Sequence, residues 1–196
     1  MAKEISSDSE VYGLVLIGGQ SSRMGHDKAH LEYHGMPQSE YLFGLLSEQL
    51  SKVFYSVRSE DDEYQPQLPD QFETKGPING ILTAMKQYPD KAWLILACDL
   101  PLVTSETIAK LLEERDPSKL ATAYAKSDSD LPEPLMAIWE PESQEALKQH
   151  HLIHEKGCPR KFLLNNEIHL IHPDDDRELF NANNQEESEE AKQLIQ

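Results

Sequence analysis

Residues 12–31 read YGLVLIGGQSSRMGHDKAHL. An uncharged, largely apolar run over 12–17 leads into two glycines, and an arginine and a lysine follow in the same segment. A continuous apolar run of this length suits a strand buried on both faces, as in a parallel sheet covered by helices. Gly18 and Gly19 can take backbone angles closed to other residues and let main-chain N–H groups approach a ligand closely. Ser21 and Ser22 add hydroxyl donors, and Arg23 and Lys28 add two positive charges. By chemistry this is a phosphate cradle at the end of a first strand. It fits neither G-x-G-x-x-G nor the Walker pattern, because no glycine-lysine-serine/threonine follows the second glycine. On composition alone it also reads as a glycine-rich turn carrying solvated charges.

A second compact apolar run, AWLILAC at 92–98, ends in the same manner, on Asp99. KVFYSV (52–57), KLATAYA (119–125), LMAIW (135–139) and IHLI (168–171) are weaker strand candidates. Between them lie helical patterns. Over 38–51, Tyr41, Leu42, Leu45, Leu46 and Gln49 recur at three-and-four spacing. Gly76-Pro77 starts another helix, with proline in the first turn where no N–H is needed. Thr104 suits the cap of a helix ending near Arg115. Strands alternating with helices predict a Rossmann-like, doubly wound, mostly parallel sheet with helices on both faces, a three-layer α/β/α fold. Such sheets bind ligands at the carboxyl ends of their strands, where residues 18–28 and Asp99 fall. No repeat or Gly/Ser linker divides the chain, so the expectation is a flexible N-terminus over 1–10 and a single domain over 11–196.

The 196 residues suffice for one α/β domain with a sizeable core. A formal net charge of −17 excludes a general nucleic-acid or anionic-membrane binder, since long-range steering would be repulsive. An anionic ligand must be drawn in by locally placed cations. Cys98 and Cys158 form neither a disulfide framework nor a zinc pattern. The opening MAKEISSDSE has no apolar signal core, and no run approaches membrane-spanning length, so a soluble, cytoplasmic protein is expected. His150, His151 and His154 in QHHLIH lack accompanying ligands in a fixed pattern and read as a solvated helix end. The acidic runs SEDDEY, PDDDRE and NQEESEEAK read as solvated faces and a charged last helix.

The string LIGGQSSRMGHDKA at 16–29 closely resembles the signature of MobA-type nucleotidyltransferases, the molybdenum cofactor guanylyltransferases, which runs approximately L-x-G-G-x-S-x-R-M-G-x-D-K-A. The resemblance continues in order through LEYHGMP (31–37), GPINGI (76–81), ACDLPLV (97–103) and FNANNQEE (180–187). It implies the nucleotide-diphospho-sugar transferase-like form of the fold and transfer of GMP from GTP to the terminal phosphate of molybdopterin. Both GTP and molybdopterin, or its molybdenum-loaded form, would then be small-molecule substrates, with transient contact to cofactor delivery proteins. The glycine pair favours the guanylyl branch, since cytidylyl relatives usually carry L-A-A-G there.

The implied nucleotide site comprises Leu16, Ile17, Gly18, Gly19, Ser21, Lys28, Ser56, Asp70, Gly76 and Asp99, with Arg23, Lys28 and Asp99 as the catalytic groups. Ser56 stands where the family usually has Asn, and Asp70 matches the guanine-contacting aspartate with a small gap. Asp99, directly after an apolar strand, reads from its surroundings either as a turn aspartate beside Pro101 or as a cation ligand. Magnesium takes oxygen donors and needs only one or two protein groups, so a lone carboxylate suffices. The resemblance implies Mg2+, with Mn2+ able to replace it, on Asp99 and Asn183. For the pterin it implies Pro134, Leu135, Arg160 and Asn181, with Lys161 beside Arg160 as a further cation. Asn181 also reads as a simple turn or cap residue. Two departures stand out: Asn184-Gln185 replaces a Thr-Pro, and Glu133 sits where an uncharged residue would be more comfortable beside a phosphate. Use of CTP or a sugar phosphate, or a non-catalytic nucleotide-binding module, are the rival readings.

Overall fold

The run Val11–Leu16 (β1) is apolar along its length because both of its faces are covered. In the computed structural model, which describes residues 9–17, 28–60, 62–73, 76–153 and 158–195, β1 lies inside a seven-stranded sheet. The other strands are Val53–Val57 (β2), Gln67–Pro69 (β3), Ala92–Ala97 (β4), Ala121–Ala125 (β5), Pro132–Trp139 (β6) and His169–Ile171 (β7). Their spatial order is β3-β2-β1-β4-β6-β5-β7. All neighbours pair in parallel except at β6, which runs antiparallel to both β4 and β5. The amino end of β6 therefore lies at the same edge as the carboxyl ends of the other strands.

Alternation along the central strands sorts the core into two layers. Val15, Leu94 and Leu96 face one side, with Leu42 and Leu46 of helix Gln38–Ser47 (α1) and Ile108 and Leu111 of helix Ser105–Glu113 (α3). Leu14, Trp93 and Ile95 face the other, against Ile78, Ile81, Leu82 and Met85 of helix Pro77–Gln87 (α2). Leu147 of helix Ser143–Ile153 (α4) and Phe162 and Leu163 of helix Pro159–Leu164 (α5) complete that layer. A last helix, Gln185–Ile195 (α6), buries Ala191 with Ala182 and Tyr33. Helices thus cover both faces, as the sequence predicts. No helix among the described residues is long and apolar enough to cross a membrane. Neither cysteine is in a disulfide; Cys98 is buried in the core and Cys158 exposed.

Helix boundaries follow the expected chemistry. Thr104 and Thr107 form a reciprocal capping box at the start of α3. Gly76 precedes Pro77 with φ of 90°, a backbone state that L side chains disfavour. Two features differ from expectation. The helix predicted over 38–51 stops at Ser47, where the last turn tightens and Gln49 instead donates its Nε2 to the Ser105 carbonyl at 2.8 Å. Strand β3 carries no signature in the sequence: three residues offer no periodicity, and Pro69 is tolerated because this strand is at the sheet edge.

Candidate active site

The chemistry-bearing residues gather where the parallel strands end. Leu16 pairs with Ala97 on one side and Ser56 on the other, so β1, β2 and β4 finish in register. Leu96 lies opposite Met136, and three residues further toward the same edge on each strand come Asp99 and Glu133. Topology alone brings these two carboxylates to one rim.

The turn carrying Asp99 is held from α1 and the residues before it. Gln38 donates its Nε2 to the Leu100 carbonyl at 3.0 Å, Tyr41 its hydroxyl to the Val103 carbonyl at 3.1 Å, and a His34 ring nitrogen meets the Pro101 carbonyl at 2.8 Å. The His34 ring stacks on Tyr41 with centroids 3.7 Å apart. The sequence carries no signal of this brace; only the structure shows Gln38, a polar residue, fully buried at the start of α1.

The asparagine segment reaches Asp99 through the main chain. The Ala182 amide donates to the Asp99 carbonyl at 2.8 Å, so Asn181 and Asn183 flank the residue bound to it. Asn181 donates its Nδ2 to the Leu179 carbonyl at 3.1 Å and to Glu133 Oε2 at 3.5 Å. The Asn184-Gln185 departure is structurally resolved: Asn184 Oδ1 accepts the Glu187 amide at 2.9 Å and caps α6. Asp99 and Asn183 offer carboxylate and carboxamide oxygens, a donor set suited to a hard cation that keeps most of its own shell. Among the described residues no three His, Cys, Asp or Glu groups cluster as a metal cage.

Glu133 has an explanation that the sequence lacked. It is buried at 8% exposure, and Arg160 Nη2 donates to its Oε2 at 2.8 Å while Arg160 Nε donates to the Pro132 carbonyl at 3.0 Å. Burial pushes the Glu133 carboxyl up, and the Arg160 charge pulls it back. Pro134 is buried, its carbonyl accepting Trp139 Nε1 at 3.1 Å, and the Leu135 amide donates to Glu133 Oε1 at 3.3 Å. Lys161 is exposed beside them.

On the other side of β1 lie the remaining expected nucleotide residues. Leu16, Ile17 and Ser56 are buried, and Ser56 packs directly against Gly80 of α2. Asp70 follows β3, its amide donating to the Val57 carbonyl at 2.9 Å. The residues after it are held by α2: Thr83 Oγ1 accepts the Gln71 amide at 3.1 Å, and Asn79 Nδ2 donates to the Phe72 carbonyl at 2.6 Å. Surrounding protein pushes the Asp70 carboxyl up to about 6, against the pull of Arg58. Asp70 itself stays exposed to solvent at this edge. Gly18, Gly19, Ser21, Ser22 and Arg23 lie outside the described residues, as does the Lys28 side chain; the Lys28 main chain opens a 3-10 turn, Lys28–His30. His154 is likewise outside them.

Four comparisons with known proteins bear on this geometry. The chain is 37% identical over 186 residues to a molybdenum cofactor biosynthesis bifunctional protein of Synechocystis sp., an alignment covering 92% of this chain and 53% of that protein. It thus spans about half the length of that relative. It is 25% identical over 145 residues to the molybdenum cofactor guanylyltransferase of Shewanella sediminis, covering 71% of this chain and 74% of that one. The fold superposes on the crystal structure of molybdopterin-guanine dinucleotide biosynthesis protein A from Archaeoglobus fulgidus with a TM-score of 0.78, at 20% identity, over 93% of this chain and 97% of that one. The model of the MobA-like NTP transferase domain matches residues 13–169, from β1 to the start of β7, and the chain belongs to that family.

Proposed function

We propose that this chain transfers GMP from GTP to the terminal phosphate of molybdopterin, or its molybdenum-loaded form, releasing pyrophosphate. The observation that carries this reading is the convergence of Asp99, Asn183 and the Arg160 guanidinium at one sheet edge, beside the end of the strand that leads into the signature segment. The names of the related proteins support the choice of nucleotide and acceptor.

In the reaction an acceptor phosphate oxygen forms a bond to the α-phosphorus of GTP while the bond from that phosphorus to the bridging oxygen of pyrophosphate breaks. A phosphate monoester has its second pKa near ~6, so the nucleophile is largely ionised at neutral pH and needs no general base. The barrier to overcome is the meeting of two polyanions, which positioning and charge neutralisation address. In this reading Gly18, Gly19, Ser21, Arg23 and Lys28 hold the phosphates of GTP. Leu16, Ile17, Ser56 and Gly76 shape the nucleotide side, and Asp70 accepts from the N–H groups of guanine. Asp99 and Asn183 hold Mg2+, with Mn2+ able to replace it. Bound there, the cation supplies neutralisation of phosphate charge. Pro134, Leu135, Arg160 and Asn181 receive the pterin side of the acceptor.

The test is pyrophosphate release with GTP, CTP and ATP in turn, each with Mg2+ and molybdenum-loaded molybdopterin, alongside Asp99→Ala. Release with GTP alone, abolished in the variant, is the expected result. Preference for CTP would overturn the guanylyl reading, and GTP binding without release would overturn the acceptor.

A further inference from the structure

Glu133 is an unexpected residue at a proposed anion-binding rim, because a buried carboxylate there both repels phosphate and is costly if left uncompensated. Its partners show how it is used. Arg160 spends Nε on the Pro132 carbonyl and one Nη2 hydrogen on Glu133 Oε2, both along one side of the guanidinium plane. A guanidinium has five N–H donors. Of the other three, the outer N–H of Nη1 and that of Nη2 form the terminal fork, a geometry that can grip two oxygens of one phosphate. The Arg160 side chain is 47% exposed and that of Glu133 only 11%, so a buried carboxylate anchors a half-exposed guanidinium.

The anchor is tied to the rest of the rim. Glu133 Oε1 accepts the Leu135 amide, and Oε2 also takes the Asn181 Nδ2 at 3.5 Å. Asn181 precedes Ala182, whose amide is bound to the Asp99 carbonyl. One carboxylate thus joins the amino end of β6, helix α5 and the segment before α6. Because the ion pair is formally neutral, Arg160 offers an incoming anion direction more than net charge.

We propose that Glu133 is a positioning residue for the acceptor: it fixes the Arg160 guanidinium so that the terminal fork meets the phosphate monoester of the incoming substrate. This rests on the guanylyl-transfer reading above. Glu133 touches no reacting atom and acts through Arg160.

The experiment is steady-state kinetics with GTP and molybdenum-loaded molybdopterin varied separately, for wild type, Glu133→Gln, Arg160→Gln, the double variant and Arg160→Lys. Glu133→Gln keeps volume and an acceptor oxygen but loses the charge that orients the fork. It is expected to raise the acceptor KM about tenfold, the equivalent of one charge-assisted hydrogen bond, while the GTP KM stays within about twofold. In the Arg160→Gln background the same change should add nothing. Arg160→Lys, which leaves Glu133 paired but removes the fork, should raise the acceptor KM similarly and serves if Glu133→Gln folds poorly. Equal shifts in both KM values, an unmoved acceptor KM, or a full Glu133→Gln effect in the Arg160→Gln background would overturn the positioning role. Silence of the wild type with GTP would instead overturn guanylyl transfer itself, and the acceptor assignment with it.

Discussion

The main-chain amide of Ala182 donates a 2.8 Å hydrogen bond to the carbonyl oxygen of Asp99, joining the segment before α6 to the turn after β4. The asparagines on either side are carried to the aspartate by backbone geometry, and Ala182 itself is packed at 1% exposure with Tyr33 and Ala191. Proline at this position has no donor. Ala182→Pro is expected to cost about 1–3 kcal/mol through the unsatisfied carbonyl and to weaken binding of magnesium-GTP. Ala182→Gly, which retains the N–H, should keep that affinity. Thermal melts and calorimetric titration of both variants check the pair of outcomes.

The raised carboxyl of Asp70 predicts a pH dependence for the proposed nucleotide side. With its carboxyl pushed up to about 6, the folded chain holds this proton more tightly than the unfolded chain, whose ordinary value is 3.8. The group therefore favours folding fully below pH 3.8, and that contribution is lost as pH rises through about 6. Relative to wild type, Asp70→Asn should gain Tm at pH 8 compared with pH 4. In its proposed role as guanine acceptor, Asp70 would lose its charge on acidification, so the GTP KM should climb as pH falls through 6. A pH series of Tm and KM reads both; an Asp70→Asn profile parallel to wild type would refute the assignment.

Gly80 lies where a side chain cannot fit. A Cβ added there would overlap Ser56 Oγ and come within 2.8 Å of Leu16 Cδ2, and both residues are buried at strand ends. Gly80→Ala is expected to destabilise by about 1–3 kcal/mol. Ser56→Ala removes the overlapped oxygen, so the double variant should recover part of the loss. Denaturant midpoints of the three variants decide it.

A buried ion pair away from the site separates stability from activity. Arg115 donates through Nε and Nη2 to the two oxygens of Glu140, each at 2.7 Å, and Arg115 Nη1 donates to the Ser9 carbonyl at 2.8 Å. Glu140 is 1% exposed, just past the carboxyl end of β6 and hence at the opposite edge of the sheet from Asp99. Arg115→Met strands that charge and should cost about 3–5 kcal/mol. Adding Glu140→Leu should restore much of the loss, with kcat per folded molecule unchanged throughout. Chemical denaturation paired with turnover measurements tests it.

Much of the fold is legible in local pattern. The runs over 12–17 and 92–98 read as doubly buried strands, and the structure places them as adjacent central strands. The Gly76-Pro77 start and the Thr104 cap are each written in two or three neighbouring residues. Strand β3 was illegible because three edge residues carry no period, and the early end of α1 because Gln49 is drawn to Ser105 across the fold. Within the candidate site, Asp99 was legible from its place after an apolar strand. Glu133 was not: its charge reads as a misfit until Arg160 is seen beside it.

Hydrophobic periodicity and capping chemistry belong to contiguous residues, so the chain's own order of runs, caps and glycines was enough to specify a layered α/β fold with its chemistry at the strand ends. The pairing of Glu133 with Arg160, the approach of Asn181 to Glu133 and the brace of His34, Gln38 and Tyr41 on the Asp99 turn were decided only in three dimensions. The reason is topological. Strand β6 enters antiparallel between β4 and β5, and this reversal brings its amino end to the carboxyl ends of its neighbours. No local pattern encodes which distant segment will meet it there.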